Sequence, residues 1–436
     1  MKQLWKWLAL SLLSVGFLLG AGLFALQRWI GTDDFRVRVE ALVGSALGQE
    51  VGVGSLTVDI WPVPAVAANT LLIKTRPVMR LERVELRAVW SSLLAGRLEL
   101  ATLLVRRADV SQAAVDDLME SMARAGVAAG KGDPVSGRAV SLIPHRFMLD
   151  ATTWRSADGA ATTVDADIQL DATGLPERLR VAVLQGRLQG TVARLQRRAP
   201  GWDVAIDLAG GTVKGKVIGP VVPGVEAGLA FQGTLETRNV ELDMLLRKPA
   251  GSLAAGNGAG SPMRGKLTAT TAFLAHAKGL DGLLASLRTH SQFSVQHAVL
   301  HRVDLARAVK TVGPNRGGET RLDSLTGQVE TRGRVIELRN LFARSGALSA
   351  SGNVAVATNR ALSGRVNVKL GSELVGSAVG VPLVVGGSLD APEVTLTRGA
   401  MVGAAVGTLV MPGLGTGAGA SLGDRLNEKL QGLFKK

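Results

Sequence analysis

The sequence predicts a mainly β chain: an N-terminal transmembrane helix followed by a long, curved, mostly antiparallel sheet with a few short helices. Three observations predict it. Residues 7–27, WLALSLLSVGFLLGAGLFALQ, form an uncharged run of 21 residues. Segments in which apolar and polar residues alternate recur through most of the remaining chain. Glycine, at 54 of 436 residues, punctuates those segments as turns would.

At 1.5 Å rise per residue the uncharged run makes a helix of about 30 Å, the thickness of a bilayer core. Lys2 and Lys6 precede it, Arg28 follows it, and Trp5, Trp7 and Trp29 bracket it at the two interfaces. The alternative is a cleaved signal peptide, but FALQRWI makes a poor small-x-small cleavage site. The flanking lysines favour a cytoplasmic N-terminus, which sends the bulk of the chain across the membrane.

Composition excludes several classes. There is no cysteine, hence no disulfide framework and no thiolate metal ligand, and there is no tyrosine. The net charge of +14 suits an anionic membrane surface. Nucleic acid is not expected as a partner, because the basic residues are spaced singly along alternating segments without a stacking aromatic patch.

Asp33 and Asp34 open a short helix, DDFRVRVEALVGSALG, with Phe35, Val39, Leu42, Val43 and Leu47 near one face and Gly48 ending it. VGVGSLTVDIWP follows with Val51, Val53, Leu56, Val58 and Ile60 in a broken two-residue rhythm, closed by Pro62 and Pro64. TLLIKT is the next strand. MRLERVELRAVW then sets Val84, Leu86, Ala88 and Trp90 against Arg83, Glu85 and Arg87. SSLLAGRLELATLLVRRADV adds a turn and a strand. SQAAVDDLMESMARAGVAA reads as a helix with Ala114, Val115, Leu118 and Met122 on one side, before a turn-rich seam.

From residue 146 to 289 the period-two segments continue: ATTVDADIQLDATG, VAVLQGRLQGTVARLQR, GWDVAIDLAGGTVKGKV, FQGTLETRNVELDMLLR and MRGKLTATTAFLAHA. AKGLDGLLASL is a candidate helix, and Gly251–Pro262 reads as a mobile loop. HSQFSVQHAVLHRVDLARAV then gives a strand and a short helix beginning near Asp304. After residue 399 the tail is rich in glycine and apolar residues. Leu422, Leu426, Leu430 and Leu433 align along an amphipathic helix at its end.

The order of these elements resembles the AsmA family. At the N-terminal end the landmarks are Gly54, Ser55, Leu93, Leu94, Gly96 and Leu98. At the C-terminal end the helix element falls on Asp304, Leu305, Ala306, Arg307 and Ala308, with Val309 as a mild departure. The following strand falls on Thr320, Asp323, Ser324, Leu325 and Gly327. Gly333 and Leu338 match a hairpin, Gly352 and Val354 a Gly-marked strand, and Pro382, Gly387, Leu389, Pro392 and Val394 the closing strands. The resulting organisation is a membrane anchor (1–30), an N-terminal AsmA-like β region (31–130), a repetitive β middle (131–289), a C-terminal AsmA-like β domain (290–398) and a Gly-rich apolar segment with an amphipathic helix (399–436).

The resemblance implies an inner-membrane protein, single-pass, with its bulk in the periplasm. It also implies a lipid-handling β groove serving outer-membrane biogenesis or phospholipid transport, with phospholipid or another membrane lipid and envelope proteins as partners. The alternative is a structural or assembly-modulating membrane protein without lipid cargo. Residue by residue, Gly327, Gly333, Gly352 and Gly387 read as turns or bulges with positive φ, Asp304 as a helix cap and Asp323 as a local turn acceptor.

No catalytic role is expected. The sequence has no GxSxG, HExxH or phosphate-loop motif, and its histidines are His145, His276, His290, His297 and His301. The last three suit one helix face by spacing but fall in a stretch that reads as strand, so no metal site is assigned. The expectation is a non-enzymatic protein without cofactor, metal or catalytic residues.

Overall fold

The computed structural model describes residues 32–59, 65–89, 91–92, 99–129, 144–156, 159–219, 229–247, 261–277, 282, 285–310, 316–346, 348–370 and 380–403. The chain divides between Gln189 and Gly190 into two compact units.

In the N-terminal unit, helix α1 (Asp33–Leu47) starts at Thr32, whose Oγ1 accepts from the Phe35 N–H, and stops at Gly48 in the left-handed region. Strands β1 (Val51–Asp59), β2 (Ala65–Ile73), β3 (Met79–Ala88) and β4 (Leu100–Ser111) pair antiparallel in chain order. Helix α2 (Gln112–Ala129) follows, and β5 (Arg146–Arg155) lies parallel to β4. A helical excursion between two strands is what allows parallel pairing, which a tight hairpin forbids. Strands β6 (Ala161–Leu170) and β7 (Pro176–Gln185) extend the ladder antiparallel.

Helices α1 and α2 close one face of this sheet. Val51, Val53, Leu71, Ile73, Met79 and Ala114 form its buried cluster, with Val43, Leu47, Val115 and Leu118 packed on it from the helices. Leu42 and Met122, expected on the buried sides of their helices, are exposed instead.

The C-terminal unit is a longer antiparallel ladder. It runs through β8 (Val192–Arg198), β9 (Gly201–Leu208), β10 (Gly211–Ile218), β11 (Leu229–Glu241), β12 (Met263–Ala277) and β13 (Arg288–His301). It continues through β14 (Glu319–Arg332), β15 (Val335–Ser345), β16 (Leu348–Val356), β17 (Leu362–Leu370), β18 (Gly380–Gly387) and β19 (Pro392–Leu396). Its apolar face is capped by the one-turn helices α3 (Leu242–Leu246) and α4 (Leu305–Lys310) and by the helical residues 398–403. Leu242, Val295, Leu305, Val368, Val381, Leu383, Leu396 and Ala400 are buried together there.

Both sheets are creased by residues with positive φ inside strands. In the N-terminal unit these are Thr70, Arg107 and Ala151, and in the C-terminal unit Asn239, His297 and Asn340. The strand registers slip beside Ala151, Asn239 and Asn340, as at β-bulges. The crease alters the side-chain pattern. Residues three apart on a regular strand point to opposite faces. Yet Val53 and Leu56, Leu71 and Ala68, and Leu81 and Val84 each pack as a pair into one cluster. Val295 and Ala298, on either side of His297, are likewise 1% and 0% exposed. The broken rhythm of β1 is therefore the sequence trace of a crease.

Several expectations need correction. The predicted spanning helix at Trp7–Gln27 lies outside the described residues, and among the described residues no helix is long and apolar enough to cross a membrane. The longest described helix, α2 with 18 residues, carries Asp116, Asp117, Glu120 and Arg124 and packs one side on the sheet. The fold that stands is a mostly antiparallel, open sheet with few short helices. The membrane anchor, the single-pass inner-membrane placement with periplasmic bulk, and the membrane and lipid partners are withdrawn with it.

In β3, Glu85 is buried at 6% exposure, set between its cross-strand partners Ala67 and Leu104 and flanked by Arg83 and Arg87. Leu86 is 38% exposed, so the alternation read from sequence is partly inverted there. Among the glycines, Gly333 and Gly387 do have positive φ, whereas Gly327 and Gly352 are not among the positive-φ residues. Gly352 is needed for close approach: a Cβ would sit 2.2 Å from the Arg365 carbonyl oxygen. The landmarks Leu93, Leu94, Gly96 and Leu98, Trp90, the loop 251–260 and the amphipathic segment 422–433 lie outside the described residues, as does most of AKGLDGLLASL.

Candidate functional site

The end of β13 builds a polar recess in the C-terminal unit. The His301 N–H donates to the Pro262 carbonyl at 3.0 Å, which ties β13 to the start of β12. The next residue, Arg302, has φ 66 and turns the chain, and its carbonyl accepts from the Gly317 N–H at 3.1 Å. Helix α4 then starts with Asp304 as its cap, Oδ1 accepting from the Arg307 N–H at 2.8 Å. Buried Thr320 locks this corner, accepting from the Leu305 N–H at 2.9 Å and donating to the Val303 carbonyl at 2.7 Å.

Around that corner Asp243, Arg247, Ser261, Arg264, His301, Arg302 and Glu319 line a cleft of about 470 Å³. Asp243 and Arg247 form an ion pair on α3, spaced four apart on one helix face. Arg264 Nε is 3.9 Å from the Asp243 carboxylate, a loose contact that leaves most of its guanidinium fork uncommitted among the described residues. Arg302 donates to the Asp390 carbonyl. Ser261 Oγ donates to the Met263 carbonyl at 2.7 Å.

His301 is largely enclosed in the cleft, its side chain 18% exposed, with Nδ1 2.9 Å from Glu319 Oε1. An ionised carboxylate only accepts, so Nδ1 carries the proton in this pair. In the neutral ring Nε2 is then an acceptor. The cleft thus offers guanidinium donors for an anionic group and an imidazole acceptor for a hydroxyl.

The histidines singled out by spacing do not converge. His290 pairs with Glu330 at 3.9 Å, His297 occupies the crease and His301 faces the cleft. His145 Nε2 lies 3.0 Å from Glu99, and the His276 backbone N–H donates to Ser286 Oγ. Among the described residues no group of three or more His, Asp or Glu is placed to hold a metal ion. Asp323, expected to accept a local turn bond, instead takes the Gly346 N–H across the sheet at 3.1 Å.

Several charges elsewhere are arranged in pairs. In the N-terminal unit Arg146 grips Asp167 through two hydrogen bonds of 2.8 and 2.6 Å. Arg155 grips Asp109 through two of 2.8 Å. Each guanidinium, first by these hydrogen bonds and then by its charge, holds its carboxyl below the ordinary value near 3.8. Arg339 is raised above its ordinary value, chiefly by its hydrogen bond to Glu337 and then by the charge of Glu330. All these shifts drive the groups away from neutrality, the opposite of what acid–base catalysis at neutral pH requires.

Sequence reasoning missed the cleft altogether. Its residues come from α3 and from the ends of three strands, separated by up to 76 positions between Asp243 and Glu319. No short motif joins them. Compared with known proteins, the chain matches no protein-family model, no curated protein and no solved structure.

Proposed function

We propose that the chain is a non-enzymatic binding protein of the AsmA-like group, and that its C-terminal cleft takes a small hydroxylated anion. The observation that carries the reading is the pairing of loosely held Arg264 with an oriented His301 in one recess. A carboxylate or phosphate meets a guanidinium fork there, and a hydroxyl meets the imidazole acceptor.

The non-enzymatic part is supported by ionisable groups tied into structural pairs that stay charged at neutral pH. The family part is supported by the posts that the matching residues occupy. Asp304 caps α4, Leu305 and Ala308 are core residues, and Thr320 ties strand to helix. Gly333 makes the β14–β15 turn, and Gly387 pairs with Pro392 in the closing hairpin. The lipid-handling groove was implied by the resemblance, and both it and the structural or assembly-modulating alternative were placed in a membrane-anchored protein. No described helix is long and apolar enough to cross a membrane, so neither is carried forward.

Calorimetric titration of the full chain with citrate and with tricarballylate, which lacks the hydroxyl, tests the proposal. Citrate should bind more tightly by roughly two- to tenfold, the worth of one hydrogen bond. Arg264→Ala should weaken both, and His301→Ala should erase the difference between them. Citrate should be recovered unchanged. Equal affinity for the two acids in the intact protein, or no binding of either, would contradict the assignment.

A further inference from the structure

A second surface lies on the face of the C-terminal sheet opposite the core. The strand registers place Arg344, Ser349 and Lys369 in one cross-strand row. The next row holds Phe342, Ser351 and Asn367, and beyond it Asn353 stands opposite Arg365. Arg344, Arg365 and Lys369 are exposed and form no ion pair among the described residues. The strand between them, β16 (LSASGNVAV), carries no charge at all. Nearby acids are committed elsewhere. Glu330 and Glu337 are held by Arg339, and Asp323 accepts from the Gly346 N–H.

The spacing is defined by the sheet. Arg344 and Lys369 are two strands apart, about 10 Å, and Lys369 and Arg365 are four residues apart, about 13 Å. Beside Arg365 the crease at Asn340 opens a groove of about 690 Å³, lined among others by Arg339, Asn353 and Ser363.

We infer that this face of β15, β16 and β17, where three unpaired cations surround an uncharged strand, is a docking surface for an acidic, extended polypeptide segment. An extended chain advances about 3.3 Å per residue, so acids four residues apart reach Lys369 and Arg365 together. Ser351, Asn353 and Asn367, all exposed between the cations, offer both donors and acceptors for the amides of such a segment. Single-stranded nucleic acid fits less well. Phe342 is 41% exposed, and the Arg344 guanidinium already sits 5.3 Å from its ring centroid, which takes up one stacking face.

The test is fluorescence anisotropy of the full chain with a labelled Gly-Ser peptide bearing aspartates four residues apart. A peptide of the same composition with adjacent aspartates and a single-stranded oligothymidine serve as competitors. The spaced peptide should bind best at low salt. Arg344→Ser, Arg365→Ser and Lys369→Ser should each weaken binding roughly two- to fivefold, as expected for exposed charge pairs. All three side chains are solvent-facing, so the melting temperature should hold. Lys214→Ser with Lys216→Ser, on the distant strand β10, should leave binding unchanged. The inference is overturned by an unaffected triple variant, by an equal loss in the β10 variant, by preference for oligothymidine or the adjacent-aspartate peptide, or by no binding of the spaced peptide.

Discussion

The two units use the same device and differ in what they do with charge. Each sheet carries an apolar face closed by helices, and each is creased by residues of positive φ. In the N-terminal unit the crease falls on Thr70, Arg107 and Ala151, side chains that the left-handed region penalises. In the C-terminal unit two of the three are asparagines, which tolerate that conformation by local hydrogen bonding. The N-terminal unit holds two bidentate pairs, Arg146 with Asp167 and Arg155 with Asp109. Among the described residues of the C-terminal unit, Arg264 is loosely held and the exposed Arg344, Arg365 and Lys369 form no ion pair. The C-terminal unit thus joins an asparagine-bearing crease to exposed cations without ion-pair partners among the described residues, the arrangement on which the proposed docking surface rests.

The comparison is broken most forcefully in the cores. Leu383 is fully buried, and Leu383→Ala should cost the C-terminal unit about 2–5 kcal/mol, seen as lost hydrogen-exchange protection in β16 to β19. Leu86→Ala in the N-terminal unit, where the side chain is partly exposed, should change stability by no more than about 0.5 kcal/mol. Next comes the close approach at Gly352. A methyl group there meets backbone of β17, so Gly352→Ala should destabilise by about 1–3 kcal/mol in denaturant titration.

Smaller effects sharpen the contrast between the creases. Thr70→Gly should stabilise by up to about 1 kcal/mol, because relief of the left-handed strain exceeds the entropy lost at glycine. Asn340→Gly should gain much less, since asparagine is already at ease there. An effect of similar size is electrostatic. The carboxyls of Asp109 and Asp167 are depressed in the folded chain, so their stabilisation is present at neutral pH. It is lost as pH falls below the ordinary carboxylate value and through the depressed one. Arg146→Ala should therefore cost about 1 kcal/mol at pH 7 and nothing once Asp167 is protonated in both proteins, measured by urea unfolding at pH 7 and pH 2.

Much of the ladder was legible in the sequence, because period-two alternation marks a half-buried strand wherever the pleat is regular. ATTVDADIQL and GWDVAIDL became β6 and β9 on that signal, and α2 followed from Ala114, Val115 and Leu118. The creases were not legible. Thr70, Arg107 and Ala151 give no local hint of a left-handed backbone, and only the uneven spacing of Val53 and Leu56 betrayed one. NVELDMLLR read as strand throughout, yet Leu242–Leu246 turns helical, with Leu242, Leu245 and Leu246 packing into the core. The cleft was invisible for a related reason. Arg264, His301 and Glu319 meet only through strand pairing and Asp243 only through the packing of α3, and neither leaves a motif.

The most direct measurement is hydrogen exchange of the full chain with and without saturating citrate. Protection confined to residues around 243–247, 261–264, 301–302 and 316–319, and absent in Arg264→Ala, is the predicted result. Protection elsewhere, or none at a concentration where calorimetry shows binding, would contradict the placement of the anion site in this cleft.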